Sequence, residues 1–344
     1  MKGQEQTVKG SRQVFDLPSI AIEVTEHRQY EACCEVCGVN NVSNYPEALN
    51  KGQTQYGPKI KSLVAYMSVR QYMPMKRLVE FISIIVGQKM SQGTVQNILR
   101  WSSHKAQEAY EHIREQISKS PVVGSDESGC NVQGKIQWMW AFQNELYTYL
   151  KIAPSRGYQV IESTFPEGLE NSIIVSDCWA AQLKTPSKGK QLCLPHLVRN
   201  LNELKDCYQS KWAHRAKEIF LQIMILCQQN RINKADKIQI EQEIDTLLNR
   251  PLKKSKKKVK TFLKRLLKNR KHLTTCLYLR KVPPDNNASE RAIRNMKVKT
   301  KVSGLFRSQE GANIYATLRS IVDTAIKQNI SPFKALSDPD MLIK

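Results

Sequence analysis

An α/β fold carrying a helical insertion is what this sequence predicts, and three observations predict it. From residue 121 to about 151 the apolar residues recur at every second position, the period of strands. The uninterrupted run Ile173-Ile174-Val175 reads as a strand buried on both faces. Over 57–118, and again from 196 onward, the spacing is helical. With 344 residues, 41% hydrophobic and 24% charged, the chain can bury a substantial core and is not of disordered composition.

Taken in order, residues 14–30 alternate apolar and polar, with a turn at Pro18-Ser19, and predict two short strands leading into Cys33-Cys34-Glu35-Val36-Cys37-Gly38. Cys34 and Cys37 are either half of a Zn2+ site, which needs four ligands, or two reduced thiols; His27 and Cys33 are the further ligands to consider. Ile60, Leu63, Val64 and Met67 mark a first helix, and Pro74 opens a second with Leu78, Phe81, Ile82 and Ile85 inward. Gly87 breaks it, and Ser91 is the expected N-cap of a third helix from Gln92 to about Ile117. That outline fits a helix-turn-helix or an ordinary helical packing unit.

Next come a strand at 121–132, a turn at Gln133-Gly134, a strand through Ile136, Trp138, Trp140 and Phe142, and a third through Tyr147, Tyr149 and Lys151. A helix from Arg156 to about Phe165, a strand Ser172–Asp177, a short helix after Trp179 and a short strand Gln191–Leu194 follow. Three antiparallel strands and then alternating helices and strands is the order of ribonuclease-H-like folds. Pro283-Pro284 stops the helical stretch that begins at 196; Asp285 opens a helix to about Thr300, and a last helix runs from Gln309 to about Asn329. The regions implied are a half zinc-knuckle-like segment (1–50), a helical, helix-turn-helix-like region (51–119), and a ribonuclease-H-like domain (120–336) with a basic insertion at about 203–282.

The 53 Lys and Arg outnumber the 31 Asp and Glu, a net charge of +22 that points to a polyanionic partner. No apolar stretch is long enough to span a bilayer, and the polar start is no signal peptide. Nine cysteines without framework spacing fit a reducing cytoplasm, with Cys130, Cys178, Cys207, Cys227 and Cys276 read as small core residues. Between 251 and 281 there is no acid, while Lys256, Lys257, Lys258 and Lys260 fall in a run from Lys253 to Lys271. Interleaved Val259, Phe262, Leu263, Leu266 and Leu267 make that run an amphipathic helix, either a solvated face or a phosphate-binding one.

Asp126 and Asp177 sit on the two strands most buried by pattern, where a charge costs several kcal/mol unless paired or metal-bound. On adjacent strands they would meet, and two carboxylates at close range call for a cation. Oxygen-only ligands favour Mg2+ or Mn2+, two of which could drive phosphodiester displacement. Either acid alone would read as a turn cap. Glu290, one turn into the helix opened by Asp285, is the third candidate, with Asn286, Asn287, Arg294, Lys297 and Lys301 on its face; an i,i+4 salt bridge to Arg294 is its alternative reading.

The blocks Gly124–Gly129, Gln137–Gln143, Ser176–Ala180, Cys193–Arg199 and Asp285–Arg294 resemble, in order, those of the insertion-sequence 66 transposases. The resemblance runs over roughly residues 12–336, and its last block is the most specific. It implies a DDE enzyme that cuts transposon ends and joins them to target DNA, with Asp126, Asp177 and Glu290 as ligands of two metal ions. It gives Cys193 and His196 a supporting role, as the Cys-x-x-His element found after the second aspartate. Relatives carry a coiled-coil-like N-terminal segment and an earlier cysteine pair, before the point where this chain begins, so Cys34 and Cys37 should hold well under one zinc per chain. The implied partners are DNA, a second copy of the chain or more on that DNA, and accessory proteins; the implied place is the cytoplasm, on the nucleoid. A nuclease that cuts without joining, and a truncated DNA-binding protein without catalysis, remain the alternatives.

Overall fold

The computed structural model describes residues 9–18, 20, 22–46, 49, 55–229, 232–252 and 255–343. Ser19 of the expected turn, and Lys253 and Lys254 of the basic run, lie outside the described residues.

The two strands expected within 14–30 do not form among the described residues; Val14 and Phe15 are each 90% exposed. Alternation without a partner strand makes no sheet. The pairing falls instead on either side of the cysteines, where β1 (Glu31–Cys33) runs antiparallel to β2 (Asn40–Val42). Cys34 N–H donates to Val39 O and Gly38 N–H to Cys34 O, a turn closed by Gly38 at φ +69°.

Four helices follow: α1 (Pro58–Val69), α2 (Met75–Ile85), α3 (Gln92–Lys105) and α4 (Gln107–Ser118). Gly87, at φ +74°, ends α2, and the Ser91 hydroxyl caps α3 by accepting from Thr94 N–H at 3.0 Å. The single helix expected over 92–117 is broken at Ala106, whose ψ of 2° leaves the helical range. Neither proline nor glycine marks that break. Ala106 is fully buried, and packing against the core sets the bend.

The central sheet is built from β3 (Val122–Val132), β4 (Lys135–Gln143), β5 (Thr148–Ala153), β6 (Leu169–Ser176) and β7 (Ser187–Leu192), in the order β5-β4-β3-β6-β7. The first three are antiparallel; β3–β6 and β6–β7 are parallel. Gln133 and Gly134, at φ +52° and +78°, make the tight β3–β4 hairpin. Between these strands lie α5 (Tyr158–Thr164) and α6 (Ala180–Lys184). Leu194, expected to end the last strand, instead belongs to the helix after it. The insertion comprises α7 (Leu194–Tyr208), α8 (Lys211–Gln229), α9 (Lys234–Asn249), α10 (Lys257–Lys268) and the short α11 (Thr275–Tyr278); α12 (Asn287–Ser303), α13 (Gln309–Lys327) and α14 (Pro332–Ser337) close the chain.

Two apolar cores flank the sheet. One joins α1–α4, the strands β3–β5, α12, α13 and α14; the other joins β6 and β7 to α7–α11. Strand β6 serves both, with Ile174 in the first and Ile173 and Val175 in the second, which is why its sequence is continuously apolar. Helix α13 is buried almost all round, and its hydroxyls seal the sheet edge: Thr148 N–H donates to Thr324 Oγ1 and Leu150 N–H to Ser320 Oγ. Of the cysteines expected in the core, Cys130 and Cys276 are buried, Cys178 and Cys227 are partly buried, and Cys207 is exposed on α7. No helix among the described residues is long and apolar enough to cross a membrane.

Candidate active site

Strands β3 and β6 pair in parallel as far as Gly124 opposite Val175. Asp126 and Asp177 each lie two residues beyond that last pair, so parallel pairing delivers both carboxylates to the same end of the sheet. Helix α12 brings Glu290 to the same place. Its N-terminus is fastened to β3 by Asn286 Nδ2, which donates to Ser125 O at 2.8 Å, while Ser289 Oγ, donating to Asn286 Oδ1 at 2.6 Å, holds the Asn286 side chain in place. Gly124 makes this approach possible, because a methyl group there would run into Gln143, Ser289 and Asn286. At the far end of α12, Phe306 N–H donates to Asn131 O and Gln133 N–H to Phe306 O, so the helix is held to β3 at both ends.

The electrostatics reflect this convergence. The Asp126 carboxyl is pushed up to about 7, first by burial and then by the neighbouring charges of Glu127, Asp177 and Glu290, against one hydrogen bond from Glu127 N–H. A carboxyl that three other acids oppose is one that a bound cation would stabilise. The donor set is carboxylate oxygen throughout, which suits Mg2+ or Mn2+.

Glu290 makes no ion pair with Arg294 among the described residues. Its Oε1 lies 3.6 Å from Nδ1 of His196, and that nitrogen is buried without a hydrogen-bond partner among the described residues. His196 stands in the first turn of α7, three residues after Cys193, whose thiol accepts from Asn286 N–H at 3.3 Å and is pushed up to about 11 by burial. The structure therefore brings Asp126, Asp177, Glu290, His196 and Cys193 together. Asn286 does not share the open face of Glu290: it is buried against β3. Arg294, Lys297 and Lys301 are exposed along α12.

Sequence reasoning missed a second set of side chains beside the acids. Glu127, next to Asp126, points to the opposite face of the sheet, and its side chain is only 1% exposed. Its Oε1 accepts from Arg156 Nε at 2.7 Å and its Oε2 from Gln182 Nε2 at 2.6 Å. The Arg156 guanidinium stacks between two indoles, 3.7 Å from the Trp179 ring centre and 4.8 Å from that of Trp138, and Trp179 Nε1–H donates back to Arg156 O. This ties the segment after Asp177 to β3 and β4. The signal was available: two consecutive acids in a strand must face opposite ways, so the second, if buried, needs its own cation.

The basic helix α10 belongs to the insertion, and its Arg265 comes near enough to Cys178, the neighbour of Asp177, to act on its thiol. Val259, Phe262 and Leu266 face the core while Leu267 is 43% exposed, so Leu267 is not part of the apolar seam. Lys256, Lys257 and Lys258 are exposed and Lys260 is partly buried; Lys258 Nζ lies 3.8 Å from Glu203. The acid-free run acquires acids from α9, since Arg270 pairs with Glu241 and with Asp245 at 2.6 Å. At the other end of the chain, Cys34 and Cys37 face each other across their turn. Backbone N–H groups of Cys37 and Val36 hold the Cys34 thiol below the usual range. Among the described residues no third His, Cys, Asp or Glu joins this pair, His27 and Cys33 included.

No curated protein matches the chain. A family model, Transposase IS66 family, matches residues 53–314, a stretch that contains the whole sheet, the acid cluster and the helical insertion. On that match the protein belongs to the IS66 family of transposases.

Proposed function

We propose that the chain is a DDE enzyme that cuts the ends of a DNA element and joins them to target DNA, with Asp126, Asp177 and Glu290 as its metal-holding carboxylates. The observation that carries this is the gathering of three acids from two adjacent parallel strands and one helix, with Asp126 raised first by burial and then by neighbouring carboxylates, Asp177 and Glu290 among them. The strand order, three antiparallel and two parallel with an all-helical insertion before α12, supports a ribonuclease-H-like frame. Bound by these carboxylates, Mg2+ or Mn2+ supplies a Lewis acid for the charge that builds on the attacking and leaving oxygens of the phosphodiester.

The protein's own part is to hold and exclude. Asp126 and Asp177 are held by strands paired in one register, Val122 to Gly124 of β3 against Ile173 to Val175 of β6. Glu290 is aimed by α12 and lies against His196, which restricts its carboxylate. The exposed Arg294, Lys297 and Lys301 continue along α12 and serve as phosphate contacts; Lys256, Lys257, Lys258 and Lys260 hold the backbone farther off. No side chain has to act as nucleophile: water attacks first, freeing a 3′-OH, and that hydroxyl attacks the target phosphate as its own 3′ oxygen leaves. Two chains acting on paired ends fit this chemistry.

Asp126→Asn, Asp177→Asn and Glu290→Gln are each expected to lower Mg2+-dependent cleavage by at least about a thousandfold while DNA binding in a gel-shift assay stays within a few-fold. Near-normal cleavage by any one variant removes that residue from the site. Pre-cut ends supply the assay for joining: products of strand transfer distinguish a transposase from a nuclease that only cuts.

A further inference from the structure

The acid cluster has a second, softer side. Cys193 closes the β7–α7 connection and His196 follows within the first helical turn, so the thiol and the imidazole face the same way. Glu290 reaches them from α12. One ligand atom from each of Cys193, His196 and Glu290 lies within 4.8 Å of the others. The His196 Nδ1 that faces Glu290 at 3.6 Å is buried and makes no hydrogen bond among the described residues. A buried ring nitrogen without a partner, pointed at a carboxylate and beside a thiol, is a ligand set short of its ion.

We propose that Cys193, His196 and Glu290 form a Zn2+ site that shares Glu290 with the Asp126–Asp177–Glu290 cluster, so that zinc binding draws Glu290 away and silences DNA cleavage. Sulfur, imidazole and carboxylate, with one position left for water, is a three-ligand set that zinc accepts. Magnesium does not take a thiol, and the two ions are therefore separated by ligand type: hard oxygen on the Asp126–Asp177 side, sulfur and nitrogen on the Cys193–His196 side. On binding, Cys193 gives its proton to solvent and a Zn–S bond replaces the S–H bond; nothing is oxidised. Glu290 is the only residue in both sets. It cannot be turned fully toward His196 and fully toward Asp126 at once. The binding half of this proposal stands on the ligand geometry, and the silencing half rests on the function proposed above.

The two halves separate experimentally in the full chain carrying Cys34→Ser and Cys37→Ser, which removes the exposed facing thiols and leaves only the more buried Cys227–Cys276 pair, whose band Cys193→Ser would not remove. Titration with Co2+ should give a thiolate-to-cobalt charge-transfer band saturating at about one ion per chain. Cys193→Ser should abolish the band, His196→Asn should weaken binding at least tenfold, and Asp126→Asn should leave the band in place. No band in the parent, or one that survives Cys193→Ser, overturns the site; His196→Asn, at a more open position, decides the same point should the serine variant misfold. In Mg2+-dependent cleavage, near-stoichiometric Zn2+ should slow the parent more than tenfold. The Zn2+ needed should rise at least tenfold in Cys193→Ser, each variant being referred to its own zinc-free rate. Full cleavage with the band saturated overturns the sharing of Glu290. Normal cleavage by Asp126→Asn instead sinks the proposed catalytic cluster and leaves the cobalt result intact.

Discussion

The acid cluster and helix α10 carry opposite charges and are built in opposite ways. Asp126 on β3, Asp177 just past the end of β6 and Glu290 in the first turn of α12 gather over one part of the sheet, with Glu127 on its opposite face, and burial is the main force that pushes Asp126 far above its ordinary range. The charges of Asp126 and Glu127 are costly there because both are buried, and the site depends on what lies under it: Gly124 for the approach of α12, Arg156 and Gln182 for Glu127. Helix α10 spreads Lys256, Lys257 and Lys258 over solvent, where a charge costs little and its neighbour can stand in for it. Single substitutions should be decisive in the first region and cumulative in the second.

The sharpest way to break this contrast is Arg156→Ala. It strands the buried Glu127 carboxylate, and loss of one partner of such a pair costs about 3–5 kcal/mol, read by urea denaturation. The double variant Glu127→Gln with Arg156→Met should recover most of that loss. A cost under about 1 kcal/mol for Arg156→Ala would mean that Gln182 alone satisfies Glu127.

Asp126→Asn probes the same burial through pH. In metal-free protein, well below its ordinary 3.8 the carboxyl is protonated both folded and unfolded, and burial carries no charge penalty. Between its ordinary 3.8 and about 7 the unfolded chain releases the proton while the folded one keeps it, so wild-type stability falls as pH rises. The total is at most about 4 kcal/mol by pH 8. Asparagine does not titrate, so the advantage of Asp126→Asn in EDTA should grow from pH 4.5 to pH 8 and shrink when Mg2+ is added. A difference that ignores pH contradicts the burial assigned to Asp126.

On α10, replacing Lys256, Lys257 and Lys258 together by Gln should weaken DNA binding by roughly tenfold, equally for all sequences, and flatten the salt dependence by about 0.9 for each phosphate no longer neutralised. An unchanged slope would make the run a solvated face. The smallest effect is expected from Cys34→Ser with Cys37→Ser. That segment is mostly exposed and outside both cores, so stability in thermal denaturation should change by no more than about 0.5 kcal/mol. Zinc content should fall by well under one ion per chain.

Periodicity alone was enough for the order of the five sheet strands and the two helices among them, for the Gln133-Gly134 hairpin and for the Ser91 cap, because these follow from local sterics and from which faces must be apolar; it did not separate the helices within 196–280 or predict α14. The two strand acids were also legible, since a charge inside an apolar strand has to be explained. What local pattern could not supply is which segments find partners. The alternation at 14–30 has no strand to pair with, the 92–117 helix bends where Ala106 meets the core, and Asn286 turns to β3 instead of sharing Glu290's open face. The meeting of Glu290 with His196 and Cys193, across nearly a hundred residues, and the clasp of Arg156 on Glu127 exist only because parallel pairing of β3 with β6 and the docking of α12 over Gly124 close those distances; long-range packing decides them, and no spacing along the chain encodes it.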